Sequence, residues 1–227
     1  MRNARLPVVK ICCISSREEA ELAMAAGASA LGLVSAMPSG PGVIADELIA
    51  EIAAVVPPPV ATFLLTSRRE AEAIVEQHRA CGTTTLQLVD HVPHGELRRL
   101  RIALPGIRIV QVVHISGPES VEEAAAVAPL VDALLLDSGN QKLPVKELGG
   151  TGRTHDWTLS RRIRDTAGKP VFLAGGLTPA NVAAAVAAVQ PFGLDLCSGV
   201  RSAGRLDAGR LANFFDSVAG LASRGLD

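Results

Sequence analysis

Tyrosine is absent from this chain, and one tryptophan with five phenylalanines makes an aromatic share of only 3%. A core without many large rings has to be filled by Ala, Val, Leu and Ile. With a hydrophobic share of 48%, that is the composition of buried parallel strands and the helices that cover them. Charge of one sign is missing as well: 22 basic residues against 23 acidic leave a net charge of −1. This balance excludes the electrostatic footprint of a protein that binds nucleic acid or an anionic membrane, so any anion site has to be local. No run approaches the roughly 18 uninterrupted apolar residues of a spanning helix. The opening MRNARLPVVKICC lacks a signal-peptide layout, so a cytoplasmic protein is expected. Cysteine is sparse, and Cys12, Cys13, Cys81 and Cys197 show neither metal-ligand spacing nor disulfide-scaffold density, as expected of a reduced compartment.

What is present is a repeat of apolar strand and amphipathic helix. Val8–Ile14 is an apolar run followed by Ser15-Ser16 and an acidic first turn, and the helix reads to Gly27 before the strand Ala30–Val34. The pattern continues with strands at Val60–Leu65, Thr84–Leu88, Ile109–Val113, Ala133–Leu136, Val171–Ala174 and Gly193–Cys197. Helices are expected at Ala45–Val55, Ser67–Arg79, Pro93–Leu104, Ser120–Ala128, Trp157–Ala167, Thr178–Val189 and Asp207–Ala222. No linker or low-complexity segment divides the chain. Eight strand–helix units argue for a parallel sheet, and over residues 1–227 they fit a single (β/α)8 TIM barrel domain better than an open doubly wound sheet. Against the open sheet, the Gly-rich turns follow the last two strands and not the first.

The chemistry is expected where strands end. The apolar run from Val131 delivers Asp137 into a long Gly-rich loop that reaches Trp157, and barrels place catalytic groups at such strand exits. Alternation along the first strand puts Lys10 and Cys12 on one side. The side that carries a lysine should be the barrel interior, which places Cys12 at its mouth. Asp195 in the last strand is a candidate inward partner for Lys10. Leu173-Ala174-Gly175-Gly176-Leu177-Thr178-Pro179 and Leu196-Cys197-Ser198-Gly199-Val200 put glycine turns after strands seven and eight. Thr178 reads as an N-cap and Pro179 as the first helical residue, so Gly175, Gly176, Ser198 and Gly199 make a candidate phosphate cradle. His114, just past strand five, could face the barrel mouth. His78, His91 and His94 have no metal-site spacing with it or with each other, and no Ser–His–Asp arrangement is evident, so a metal-free site is expected.

These segments resemble a known family, phosphoribosylanthranilate isomerase of tryptophan biosynthesis. Val9-Lys10-Ile11-Cys12 is similar to its V-K-I-C-G-I-T, and Leu135-Leu136-Asp137-Ser138 to its L-L-D-S. Gly149-Gly150-Thr151-Gly152 with Asp156-Trp157 resembles its G-G-T-G-x-x-F-D-W, and Leu173–Val182 its L-A-G-G-L-x-P-x-N-V. The resemblance implies an Amadori rearrangement of a phosphorylated N-glycoside, with Asp137 as general acid and Cys12 as general base. It implies no cofactor, and a phosphorylated sugar as the small-molecule partner.

The departures concern the rest of the site. The family glycine after the cysteine is Cys13. The S-P-R after strand two, whose arginine would hold the anthranilate carboxylate, is replaced within Ala36–Gly42, where no arginine lies. The family's Q-L-H-G reads Gln87-Leu88-Val89-Asp90, and its terminal S-S-G-V-E ends in Arg201. Lys10, Gln87, His114, Arg153 and Arg201 remain candidate substrate-binding residues, the last two with His114 as stand-ins for the missing arginine. Two alternatives are a paralogue that isomerises another phosphorylated aminosugar and a barrel that binds a phosphosugar without catalysis. The loop from Ser138 to Asp156 is a candidate lid.

Overall fold

The computed structural model describes residues 6–139 and 152–223. Eight parallel strands close into a barrel in the order of the chain: β1 Val8–Ile11, β2 Ala30–Val34, β3 Ala61–Thr66, β4 Thr85–Leu88, β5 Arg108–His114, β6 Ala133–Asp137, β7 Val171–Leu173 and β8 Gly193–Leu196. Around them run α1 Arg17–Ala25, α2 Asp46–Val55, α3 Ala71–Cys81, α4 His94–Ala103, α5 Glu119–Val127, α6 Trp157–Thr166, α7 Val182–Val189 and α8 Ala208–Ser223. The (β/α)8 expectation is met. No helix among the described residues is long and apolar enough to cross a membrane.

The period of two along each strand sorts side chains into two apolar layers. Ile11, Leu31, Leu33, Leu64, Leu86, Ile109, Leu134, Leu136, Leu173 and Leu194 point outward and pack under the helices. Cys12, Ala30, Val34, Phe63, Leu65, Val110, Val112, Ala133, Leu135 and Phe172 fill the interior. Among the described residues two phenylalanine rings lie inside, Phe63 and Phe172, meeting edge to face with centroids 6.0 Å apart. The low aromatic content thus suits a narrow, filled barrel.

The barrel closes where β1 meets β8, with Lys10 opposite Asp195. Lys10 Nζ lies 2.7 Å from Asp195 Oδ1 and 5.3 Å from the centre of the Phe63 ring, so the pair expected from alternation sits inside. Burial alone would depress the Lys10 ammonium, but Asp195, helped by Cys12, raises its pKa instead.

Element ends differ from the sequence reading where side chains compete for the backbone. β1 stops at Ile11, not Ile14, and β8 at Leu196, not Cys197. α3 starts at Ala71, not Ser67. Thr66 Oγ1 accepts the Arg68 amide at 3.2 Å, and Glu96 of α4 caps the Ala71 amide at 2.7 Å, so the cap comes from a neighbouring helix. Beyond β8 lie a 3-10 turn, Ser198–Val200, and a short antiparallel pair, β9 Arg201–Ser202 with β10 Arg205–Leu206, which the sequence reading missed.

Candidate active site

Strand ends carry side chains to the mouth of the barrel. Cys12 follows β1, Gln87 points inward from β4, and Asp137 ends β6, in register with His114 of β5. Cys12, Gln87, Asp137, Gly175, Gly176, Ser198 and Gly199 all line one cavity there. The loop after β2 adds Met37, Ser39, Gly40 and Pro41 to its wall. Cys12, Gln87 and Asp137 are buried in the protein at 6%, 3% and 8% exposure, so reacting groups there meet little bulk water.

Asp137 sits where its proton is kept more readily than on an ordinary carboxyl. Burial pushes its carboxyl up to about 6, and the negative Asp195 adds to this, against the Ser138 amide, which donates to Oδ1 at 2.7 Å, and Lys10. Gln87 Oε1 is buried with no hydrogen-bond partner among the described residues. An orphaned acceptor on a cavity wall is suited to a ligand hydroxyl.

The glycine turns face each other as expected, but the helix geometry behind them needs correcting. Regular α7 begins at Val182 with Asn181 at its N-cap, so Thr178 and Pro179 precede the helix. Asn181 instead ties the turn down: its Oδ1 accepts the Thr178 amide at 2.8 Å and its Nδ2 donates to the Gly176 carbonyl at 2.9 Å. The helical N-terminus at the cradle belongs to the 3-10 turn that opens at Ser198. Gly175, Gly176, Ser198 and Gly199 come together on the cavity wall, where turns of bare backbone suit an anion. Gly199 packs so close that a Cβ there would strike the Leu177 carbonyl.

The remaining candidates stand apart from the cavity wall. Lys10 is fully buried beneath it in the Asp195 pair. His114 is buried beside Asp137, and Arg153 is exposed. Arg201 turns to Glu19, with Nη1 2.9 Å from Oε1, and also donates to the Cys13 carbonyl. That pairing, with the amides of Leu206 and Ser15, outweighs burial and holds the Glu19 carboxyl down at about 2. Residues 140–151 of the candidate lid, including Gly149, Gly150 and Thr151, lie outside the described residues.

Sequence reasoning missed Met37 and Pro41. The general rule that loops after barrel strands build the site would have found them. It also missed the approach of Cys13 to Cys197 and the Glu19–Arg201 pair, whose members are 184 and 182 residues apart and leave no local signal. No cluster of three or more His, Cys, Asp or Glu placed to hold a metal occurs among the described residues.

This architecture has close counterparts. The family model for N-(5'-phosphoribosyl)anthranilate (PRA) isomerase matches residues 9–217. An N-(5'-phosphoribosyl)anthranilate isomerase of Methanocella arvoryzae is 33% identical over 207 residues, 91% of this chain and 95% of that one. The crystal structure of phosphoribosyl anthranilate isomerase from Thermus thermophilus superposes with a TM-score of 0.80 at 30% identity, covering 94% of this chain and 99% of that one. A second isomerase structure, in complex with reduced 1-(o-carboxyphenylamino)-1-deoxyribulose 5-phosphate, gives 0.79 at 28% identity, covering 95% and 100%. With a shared barrel, a match over nearly its whole length and the strand-end motifs in place, the chain belongs to the N-(5'-phosphoribosyl)anthranilate isomerase family.

Proposed function

We propose that the chain converts N-(5-phosphoribosyl)anthranilate into the 1-amino-1-deoxyribulose phosphate, with Asp137 as general acid and Cys12 as general base. The observation that carries this reading is the convergence of those two side chains, from β1 and β6, on one cavity that also holds the paired glycine turns. The phosphate rests on the amides of Gly175, Gly176, Ser198 and Gly199. Asp137 gives its proton to the furanose ring oxygen, the bond from that oxygen to C1′ breaks, and a protonated Schiff base forms. The Cys12 thiolate removes the C2′ proton, and the resulting enolamine tautomerises to the ketone. Each step moves a proton between groups already in place, which is general acid–base catalysis. Gln87 accepts a sugar hydroxyl.

Phosphoribosylanthranilate is fluorescent, so its disappearance reports turnover directly. Asp137→Asn and Cys12→Ala are each expected to abolish turnover while a phosphate-bearing product analogue still binds. Wild-type protein that is folded and turns nothing over would refute the reading. A paralogous activity on an aminosugar whose aglycone lacks a carboxylate is favoured by one observation: no Lys, Arg or His lines the cavity among the described residues. Turnover of such an aminosugar in preference to phosphoribosylanthranilate would establish it.

A further inference from the structure

Three of the four cysteines meet at one wall of the site. Cys12 faces the cavity, Cys13 follows it with φ 62°, and Cys13 Sγ lies 2.7 Å from Cys197 Sγ, beside the Ser198 turn. All are free thiols. The family pattern has glycine where this chain has Cys13 and serine where it has Cys197, so the sulfurs meet because both positions depart together. Cys13 carries a side chain in a backbone region that disfavours one. It also needs room: a Cβ on Gly42 would collide with the Cys13 Cα and Cβ, so the loop after β2 has to be bare at that point.

We propose that Cys13 and Cys197 form a redox-modification site, at which a peroxide-class oxidant closes a disulfide that turns the adjacent active site off and thiols turn it on again. The bond itself stands independently of the isomerase reading; its effect on turnover rests on that reading.

Cys197 is the attacking sulfur. It is partly exposed and lines the cavity. The Cys13 contact outweighs burial and, with Arg201 nearby, holds its thiol below the ordinary range. Cys13, next to the Cys12 and Cys197 thiols and buried, stays well above that range. The Cys197 thiolate attacks one peroxide oxygen, the O–O bond breaks, and the leaving hydroxide takes a proton to become water. A sulfenic acid remains. Cys13 gives up its proton and attacks the sulfenic sulfur, hydroxide leaves as a second water, and the S–S bond forms. The two thiols lose two electrons and the peroxide becomes two waters.

A bond of about 2.05 Å draws the ends of β1 and β8 together. Cys13 shares a peptide with Cys12, and Cys197 shares one with Ser198, so the shift reaches both the base and the phosphate seat. The sulfurs close from 2.7 Å to about 2.05 Å, a shift of roughly 0.7 Å or less, and since ~1 Å costs on the order of 10²-fold in rate, a loss of roughly 5–20-fold follows.

The test treats the full chain with hydrogen peroxide near neutral pH, blocks remaining thiols by alkylation and digests with trypsin. Cleavage after Lys10 and Arg17, and after Arg164 and Arg201, isolates the two peptides. The expected product is a cross-link two hydrogens lighter than their sum, assigned to Cys13 by fragmentation and removed by dithiothreitol. Turnover is expected to fall roughly 5–20-fold and to recover with the thiol. Cys13→Gly and Cys197→Ser are expected to keep basal turnover and lose the reversible inactivation. The proposal is overturned by a link to Cys12, by no link at all, by a link that leaves turnover unchanged, or by variants that inactivate as the wild type does. A Cys13–Cys197 link in protein that never turns over phosphoribosylanthranilate supports the modification site and refutes the isomerase reading alone.

Discussion

A carboxyl group that gives a proton near neutral pH needs surroundings hostile to its anion, and Asp137 has them in an apolar strand end. The same surroundings act on stability. Because its folded pKa of about 6 exceeds the unfolded value near 3.9, the fold favours the protonated form. That contribution is fully present below pH ~4 and is lost as pH rises through ~6, a penalty of about 3 kcal/mol above that. Asp137→Asn should therefore be inactive yet more stable at pH 8, by roughly 6–12 °C in Tm, with the gap closing below pH 4 in thermal melts. The wild-type kcat/KM should fall about tenfold per unit on its alkaline limb, above pH ~6, as Asp137 loses its proton. Cys12 and Asp137 were legible as site candidates because strand alternation and a strand exit are local features. Their electrostatic surroundings were less so. That Asp195, found as the partner of Lys10, also raises Asp137, and that Arg201 turns to Glu19, follow from barrel closure and loop return.

The loops after β2, β7 and β8 decide what the chemistry is applied to. In the loop after β2, which carries no arginine, Pro41 reaches the cavity wall. A charge-assisted contact is worth about 1.5–3 kcal/mol, so Pro41→Arg should lower the KM for phosphoribosylanthranilate by one to two decades with kcat little changed. Unchanged KM would show that the carboxylate lies elsewhere. At the proposed phosphate seat, Gly199→Ala pushes a methyl group onto the Leu177 carbonyl and should raise KM while the pH profile holds its shape; steady-state kinetics across pH checks both. The eight strands were legible from apolar runs and turn residues, and so were most helix starts, α6 at Trp157 among them; two were not. Propensity placed α3 and α7 several residues early, because Glu96 caps α3 from another helix and Asn181 serves the turn before α7. Such side-chain competition is invisible until neighbours are in place.

For the molecule as a whole, the seam between β1 and β8 is where the fold is completed. Asp195→Asn leaves the Lys10 ammonium buried without its counter-charge, which should cost about 3–5 kcal/mol and on the order of 10 °C in Tm. Replacing both partners, Lys10→Met with Asp195→Leu, should restore most of that stability in the same melts. The barrel itself was legible because eight repeating units exclude most other arrangements, and the seam pair because a lysine and an aspartate fell on inward positions of its first and last strands. The seam also sets a clock on biosynthesis. Lys10 leaves the ribosome 185 residues before Asp195, which at usual elongation rates is roughly 10–40 s. During that wait the nascent chain carries an unmatched cation and a barrel that has not closed, so ribosome-bound chains arrested before β8 should be readily cut by protease and show no turnover, with both properties reversing once that last strand emerges.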